Sequence, residues 1–445
     1  MPKKSKVYLD RLLGLEAYIS ETDGIGGVIR RRIDDFVVKE ITMEGITCSP
    51  IAKFEEGVGE YVWFVLEKRG VDSITALRII ARSLGISSKR FSIAGLKDSK
   101  AVTFQLACVR DVDPDMLTRF KGTDKVKVHC VFRRPFRLTP GLLMGNRFEI
   151  VIREIECKDP LNRVNAILNE IEKAGGVPNY YGYQRFGTIR PITHLIGKRI
   201  LLGDFKGAVE TLLTKIFPHE SEKAKEARRY LAETWDVRGA LELFPRSLHH
   251  ERMILYYLSK HPGDHVGAIR TLPIEVRRLF IGAYQAYLFN KVLSKRILEG
   301  MSIVYAVPGD LVALGDPFKG EIRGLVRATD SNRDKLNQLI REGNAYLVLN
   351  VFGYGTSLCY GRPGEIEREV LREEGISLDA FKLRQLREAS SHGTFRPASF
   401  KPRDLSFKLA NENSIQISFT LGKGMYATVF LRELMKPEDV VAAGF

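Results

Sequence analysis

Cysteine is the first scarcity in this 445-residue chain: Cys48, Cys108, Cys130, Cys157 and Cys359 are odd in number and far apart. Such usage excludes a disulfide framework and fits reduced, mostly buried thiols. There is no CxxC pair, so the ligand spacing of a structural zinc site is missing. His261 and His265 stand four apart in HPGDH, but a zinc-protease helix needs Glu beside the first His, and Pro262 and Gly263 predict a loop. Long apolar runs are lacking too. No stretch reaches the roughly 18 apolar residues that span a bilayer, and the start, MPKKSKVYLDRLLG, is basic without the apolar core of a secretion signal. The reading is a cytoplasmic protein with no membrane partner. Nucleotide and hydrolase motifs are also missing. The Gly-Lys steps read GKR at Gly197 and GKG at Gly422, without the Ser or Thr of a phosphate loop. Gly24, Gly26 and Gly27 do not make a dinucleotide fingerprint, and no GxSxG elbow occurs.

What the chain has in excess is positive charge. Its 69 Lys plus Arg outnumber 54 Asp plus Glu, a net charge of +15, while 44% of residues are hydrophobic. That composition is globular, and its length predicts two or three compact units. A basic globular protein most simply meets a polyanion, and nucleic acid is the commonest large one; a merely solvated basic surface is the alternative.

Along the chain the pattern changes twice. Residues 27–41 (GVIRRRIDDFVVKEI) and 61–69 (YVWFVLEKR) read as strands. Residues 72–84 carry apolar side chains at helical spacing, capped by Asp72 and stopped by Gly85. A hairpin-like connection runs from Phe91 to Arg110 through LKDSK, and 126–133 and 147–155 read as further strands. Asp159-Pro160 opens a helix that Gly175-Gly176 closes. From about 191 to 389 the text is mainly helical, at 206–216, 221–234, 274–298, 365–374 and 378–389, with a β-containing exception at 304–351. After Gly393 strands return, and SIQISFTL and MYATVFLREL on either side of Gly422-Lys423-Gly424 predict an antiparallel pair. The fold class is α+β: a β-rich beginning and end around a helical middle suggest one sheet domain interrupted by an insertion.

Three constellations could carry chemistry. In Gly95-Leu96-Lys97-Asp98-Ser99-Lys100-Ala101 a carboxylate sits between two lysines, and nearby positive charge favours its ionised form. It reads as a nucleophile or electrostatic stabiliser, or as a solvated turn at a hairpin tip. In GNRFEIVIR, Asn146 and Phe148 start on the same side of a strand, where a flat base could stack on the ring; a core Phe is the plainer use. In NYYGYQRFG, residues 179–187, aromatic faces stand beside Arg185, the combination that RNA recognition uses and that a tyrosine-packed junction uses equally.

Together these residues carry a resemblance. AGLKDSKAVTFQ, residues 94–105, resembles the G-x-K-D-x-x-A-x-T-x-Q pattern of the TruD family of tRNA pseudouridine synthases. DDFVVKEI, GNRFEIVIR, VPNYYGYQRFG, YQAYLFN and LGKGMYATVFLREL accompany it in the family's order. The resemblance implies a mixed, largely antiparallel pseudouridine synthase sheet domain, circularly permuted, with an inserted, mostly helical α/β domain specific to the family. On that pattern residues 1–178 and 390–445 form the catalytic domain and 179–389 the insert. It also implies isomerisation of a specific tRNA uridine, typically position 13 in the D arm.

Carried over by position, the nucleophilic aspartate is Asp98, with Lys97 beside it. The asparagine that holds it is Asn146, the ring that stacks on the base is Phe148, and Phe36 lies near the same pocket. Arg30 stands where bacterial members tend to have lysine, keeping the charge with a different geometry, and Ile33 stands where they often have proline. Gln184, Arg185 and Phe186 complete the expected substrate contacts. Pseudouridine formation exchanges a C–N for a C–C bond without net redox change, so no metal and no small-molecule cofactor is expected, and the chain is read as a monomer acting on tRNA. Asp98 either attacks C1′ or takes the 2′ proton. Phe148, having no hydroxyl, cannot be the group that removes the C5 proton. Two rivals are a non-catalytic RNA-binding protein on the same fold and a methyltransferase, which would need a cofactor-binding glycine loop. The charge excess becomes an expectation about placement: Arg30, Lys97, Lys100, Arg147 and Arg185 should matter most in a cleft between sheet domain and insert.

Overall fold

Alternating and apolar runs at the two ends of the chain meet in a single sheet. The computed structural model describes residues 3–445. The large sheet is built from β1 (Phe36–Ile41), β2 (Tyr61–Arg69), β3 (Phe91–Ile93), β4 (Val102–Arg110), β5 (Val126–Arg134), β6 (Gly145–Ile152), β7 (Arg403–Asn411) and β8 (Ser414–Gly422). Its order is β7-β8-β6-β1-β4-β2-β5, with β3 also paired to β4. Only β1 and β4 run parallel. β8 lies antiparallel to β6 from Ile415↔Ile152 to Gly422↔Gly145, so the C-terminal strands complete the sheet begun near the N-terminus. This is the circularly permuted, mixed-sheet α+β arrangement.

Period-2 alternation decides which side chains share a face. On the front face one cross-strand row reads Phe419, Phe148, Val38, Thr103, Lys68. Beside it Leu421, Asn146 and Glu40 form a second row. Apolar cores flank these rows, one around Phe36, Phe148, Ile150 and Phe419 and one where α1 (Ser73–Ser83) covers Phe64, Leu66 and Val109. Asp72 caps α1 by accepting the Thr75 amide at 2.9 Å. The back face buries Trp63, Val65, Phe104 and Phe132.

The middle of the chain holds α2 (Pro160–Ala174), α3 (Thr193–Leu201), α4 (Ile274–Leu298) and α5 (Gly361–Glu374), with several further helices. Asp159 caps α2 and Gly175, at φ +87°, ends it. α4 is buried on most sides against α3 and α5. At the α3 crossing, a Cβ on Gly197 would lie 2.1 Å from the Phe280 carbonyl, so only glycine permits the approach. A four-stranded antiparallel sheet, in the order Gly324–Arg327, Leu311–Leu314, Ala345–Val351, Thr394–Pro397, accounts for the β-containing stretch. Val177–Pro178 pairs with Ser399–Phe400, so the chain enters and leaves the middle region side by side.

Three expectations are corrected. MYATVFLREL is no strand: Ala427–Met435 is α6, buried on every side, and β8 pairs with β6 and β7 instead. A short, mostly apolar run such as 427–431 fits a buried helix as well as a strand, and Arg432 and Glu433 are buried with it. Residues 27–35 break before β1, because Arg30 adopts φ +57° and Asp35 ties down the Arg32 amide and the Arg153 guanidinium. Only Val28 bridges, to Arg153. Residues 378–389 form two separate 3-10 turns rather than one helix. Helices at Thr193–Leu201, Val237–Leu243, His249–Lys260, His265–Arg270 and Arg333–Arg341 are additional to those expected. All five cysteines are free, three of them buried. Among the described residues no helix is long and apolar enough to cross a membrane.

Candidate active site

The loop Gly95–Ala101 joins β3 to β4 above the front face, and its anchors are side chains rather than a backbone ladder. The Gln105 amide donates to the Gly95 carbonyl at 3.1 Å, and the Lys97 amide donates to Ser73 Oγ at 3.1 Å. Ser73 Oγ in turn donates to Gln105 Oε1 at 2.9 Å. Lys97 turns inward: its Nζ lies 2.8 Å from Asn146 Oδ1 and 3.1 Å from Glu40 Oε2. Lys68 Nζ donates to the Asp98 carbonyl at 2.5 Å. Glu40, Lys68, Ser73 and Gln105 are all fully buried, so a polar stripe between two apolar cores supports the loop from beneath. Burial pushes the Glu40 carboxyl up, against the pull of Lys97, and pushes the Lys68 ammonium down to about 8, against the pull of Asp98.

Asp98 faces the opposite way. Its side chain is 37% exposed; Oδ1 accepts the Lys100 amide at 3.0 Å and Oδ2 meets Arg30 Nη2 at 2.8 Å. Arg30 is held from three sides: Nη1 donates to the Gly444 carbonyl at 2.7 Å, and the guanidinium lies over the Phe36 ring at 4.0 Å. A planar cation stacked on a ring and fixed by a carbonyl offers its remaining N–H groups in one direction, toward the carboxylate. Burial pulls the Arg30 pKa down, and the Asp98 charge opposes that. Gly444 sits at φ +86°, where a Cβ would lie 2.1 Å from the Ile29 carbonyl, so the close approach of the C-terminal turn depends on glycine.

Asp98 opens onto a cleft of about 510 Å³ lined also by Arg30, Lys100, Gln184, Ile189 and Phe445. A partly exposed carboxylate with a fixed cation behind it and a basic, concave approach in front can act on an electrophilic carbon or an acidified proton of a bound polyanion.

The sequence-predicted residues divide. Arg30, Phe36, Lys97, Asp98, Asn146 and Phe148 come together on the front face. Asn146 reaches Lys97 rather than Asp98, so its hold on the carboxylate is indirect. Phe148 is 8% exposed, stacked on Phe419 at 5.3 Å and edge-on to Phe36 at 6.3 Å. Gln184 is exposed in the cleft, its Oε1 accepting from Thr428 Oγ1 at 3.0 Å. Phe186 is fully buried, edge-on to His194, and with Tyr180 and Tyr183 it serves the junction between units rather than a free stacking face. Arg185 lies over Tyr181 at 6.0 Å.

Of the basic groups expected in the cleft, Arg30 and Lys100 line it. Arg147 does not: alternation along β6 turns it to the back face, beside Glu149 and Ser418. Arg190 also lines the cleft, but it pairs with Glu220 and Glu251.

Sequence reasoning missed Lys68, Glu40, Ser73 and Gln105. A polar Gln inside the apolar run VTFQLACV was the available signal; Lys68 lies where YVWFVLEKR looks like a solvated strand end.

Comparisons with known proteins bear on the family and the fold. The family model described as tRNA pseudouridine synthase D (TruD) matches residues 12–434. A protein of Methanopyrus kandleri named "Probable tRNA pseudouridine synthase D" is 39% identical over 387 residues, covering 87% of this chain and 88% of the relative. One of the same name from Methanosarcina mazei is 36% identical, covering 96% of this chain and 97% of the relative. A crystal structure of a Methanosarcina mazei protein assigned to tRNA pseudouridine synthase D superposes with a TM-score of 0.82 at 34% identity, covering 96% of this chain and 98% of that one. With the family's pattern matched from residue 12 to residue 434 and the ends of the chain joined in its permuted sheet, this protein belongs to the TruD family of tRNA pseudouridine synthases.

Proposed function

We propose that this protein isomerises the uridine at position 13 of tRNA, in the D arm, with Asp98 as the reactive carboxylate and Phe148 as the surface that receives the detached base. The observation that supports the reading is the Asp98–Arg30 pair at the mouth of the cleft. It offers one oriented carboxylate to a ribose, and among the described residues no other Asp or Glu side chain lines the cleft.

The target uridine leaves the tRNA stack at a cost of a few kcal/mol, offset by stacking and phosphate contacts. Asp98 then acts on the sugar, attacking C1′ or taking the 2′ proton. The C1′–N1 bond breaks, the base turns, C5 bonds to C1′, and the C5 proton is lost while N1 regains one. No electrons are gained or lost, so the reaction asks for no small-molecule cofactor. Lys100 and Arg30 meet phosphate, and Gln184 contacts the RNA across the cleft. Residues 179–389 form the inserted domain that closes over the substrate, with the pairing of Val177–Pro178 and Ser399–Phe400 as its hinge point.

The test is Asp98→Asn, with unmodified tRNA as substrate and pseudouridine mapped by carbodiimide-based primer extension. Isomerisation should fall below detection while tRNA affinity stays within a few-fold of the parent. Turnover by the variant would remove Asp98 from its role. A stop at another nucleotide would correct the position.

A further inference from the structure

The loop that carries Asp98 is exposed above and anchored below. Leu96 is 73% exposed, and none of Gly95–Ala101 lies in a strand or helix. Three of its anchors act on neighbours of Asp98: Gln105 on Gly95, Ser73 on the Lys97 amide, and Glu40 with Asn146 on the Lys97 ammonium. One anchor acts on the Asp98 backbone itself. Lys68 Nζ lies 2.5 Å from that carbonyl.

Lys68 is an expensive way to make this contact. Its side chain is fully buried in the row of Phe419, Phe148, Val38 and Thr103, between Thr103 and the apolar Val126 of β5. Among the described residues no carboxylate forms an ion pair with it; its hydrogen bond is to the Asp98 carbonyl. The charged groups that act on it are Asp98 and Lys97 on the loop and Asp72 at the cap of α1. A buried ammonium without an ionic partner costs stability, and an apolar side chain of similar length in its place is commonly neutral or stabilising. The neighbouring front-face positions on β2, Phe64 and Leu66, are apolar. Packing alone therefore gives no reason for a lysine here.

We infer that Lys68 is a positioning residue for the isomerisation: its buried ammonium fixes the Asp98 backbone carbonyl, so that the carboxylate points into the cleft where Arg30 holds it. The arrangement clamps one residue by two cations, Lys68 on the main chain from beneath and Arg30 on the side chain from the cleft wall. The depressed Lys68 pKa, with Asp98 pulling against burial, is consistent with that coupling.

This inference rests on the reading of Asp98 as the reactive carboxylate, so Asp98→Asn is assayed beside it. Lys68→Met removes the donor and keeps the volume; Lys68→Gln keeps an N–H donor without the charge. In single-turnover assays on saturating tRNA, Lys68→Met should slow isomerisation by about 10²-fold, the scale of a misplaced reacting group. tRNA affinity should stay within about twofold, the melting temperature should be unchanged or higher, and Lys68→Gln should recover most of the rate. A Lys68→Met rate within threefold of the parent overturns the inference. So does equal loss in both variants together with a lowered melting temperature, which would mark a structural lysine. If Asp98→Asn itself retains activity, the underlying reading fails; if Asp98→Asn is inactive while Lys68→Met is normal, only the Lys68 inference fails.

Discussion

Phe148 is where two uses of one residue meet. Its ring is stacked on Phe419, edge-on to Phe36 and almost withdrawn from solvent, yet it lies two residues from Asn146 on the face that supports the Asp98 loop. Deleting it should therefore cost both fold and chemistry. Phe148→Ala should lower stability by about 3–5 kcal/mol, the usual cost of removing a buried aromatic. Phe148→Leu, which keeps most of the volume, should melt within a few degrees of the parent yet slow base capture in single-turnover assays. Equal rates for Phe148→Leu and the parent would reduce the ring to core filling. At this scale the sequence was informative about residue types that stand in a motif, such as Asp98, Asn146 and Phe148. It was silent about Lys68 and Glu40, which reach the Asp98 loop only through the pairing of β2, β4 and β1 across the sheet and not through local spacing. Arg30 was nameable, but its left-handed backbone and its support by Gly444 depend on a contact spanning almost the whole chain.

Elements were legible where caps and period agreed. Asp72 and Asp159 mark the starts of α1 and α2, and α4 spans the 274–298 range read from its pattern. They were less legible in α6, where the short, mostly apolar run 427–431 suits a strand or a buried helix equally and the charged Arg432 and Glu433 that follow are themselves buried. The same α6 carries Arg432, whose fully buried guanidinium donates to Asp10 Oδ2 at 2.8 Å while Tyr183 donates to Asp10 Oδ1 at 2.6 Å. So the family segments around Tyr183 and Arg432 tie the N-terminal segment, the junction loop and α6 together.

A second buried group links elements and makes a pH prediction. His194 on α3 stacks on Tyr287 of α4 and meets Phe186 edge-on, and burial pushes its pKa down from 6.5 to about 3. The unfolded chain takes up a proton as pH falls below 6.5, which the native ring refuses until about 3. Stability present above pH 6.5 is thus lost on acidification, by about 1.4 kcal/mol per pH unit or about 2 kcal/mol by pH 5. Urea unfolding at pH 7 and pH 5 should show that difference shrink by about this amount in His194→Phe.

On the scale of the whole molecule, the net charge of +15 is not gathered into one cleft. Arg30 and Lys100 face it, Lys97 is turned inward, Arg147 lies behind the sheet, and Arg190 is engaged by Glu220 and Glu251. An RNA contact through many phosphates would therefore need cations outside the cleft. If several phosphates are neutralised together, log affinity for tRNA should fall linearly with log salt, by about 10³-fold or more between 50 and 200 mM for six or more contacts. A shallow slope, near one or two, would confine the contact to Arg30 and Lys100. Filter binding or fluorescence titration across that salt range measures it.

The pairing of β8 with β6 also sets an order of assembly. During synthesis β6 is made long before its partner, and until residues 414–422 leave the ribosome its outer edge has no strand to receive its hydrogen bonds. Domains generally fold as units as the chain emerges, so the middle region can mature while the sheet that carries Asp98 is still open at that edge. An open strand edge is a template for mispairing with other chains. The permuted connection therefore places the period of greatest aggregation risk in the long interval between the two strands, and a chain interrupted before β8 leaves that edge unpaired however well its other parts have folded.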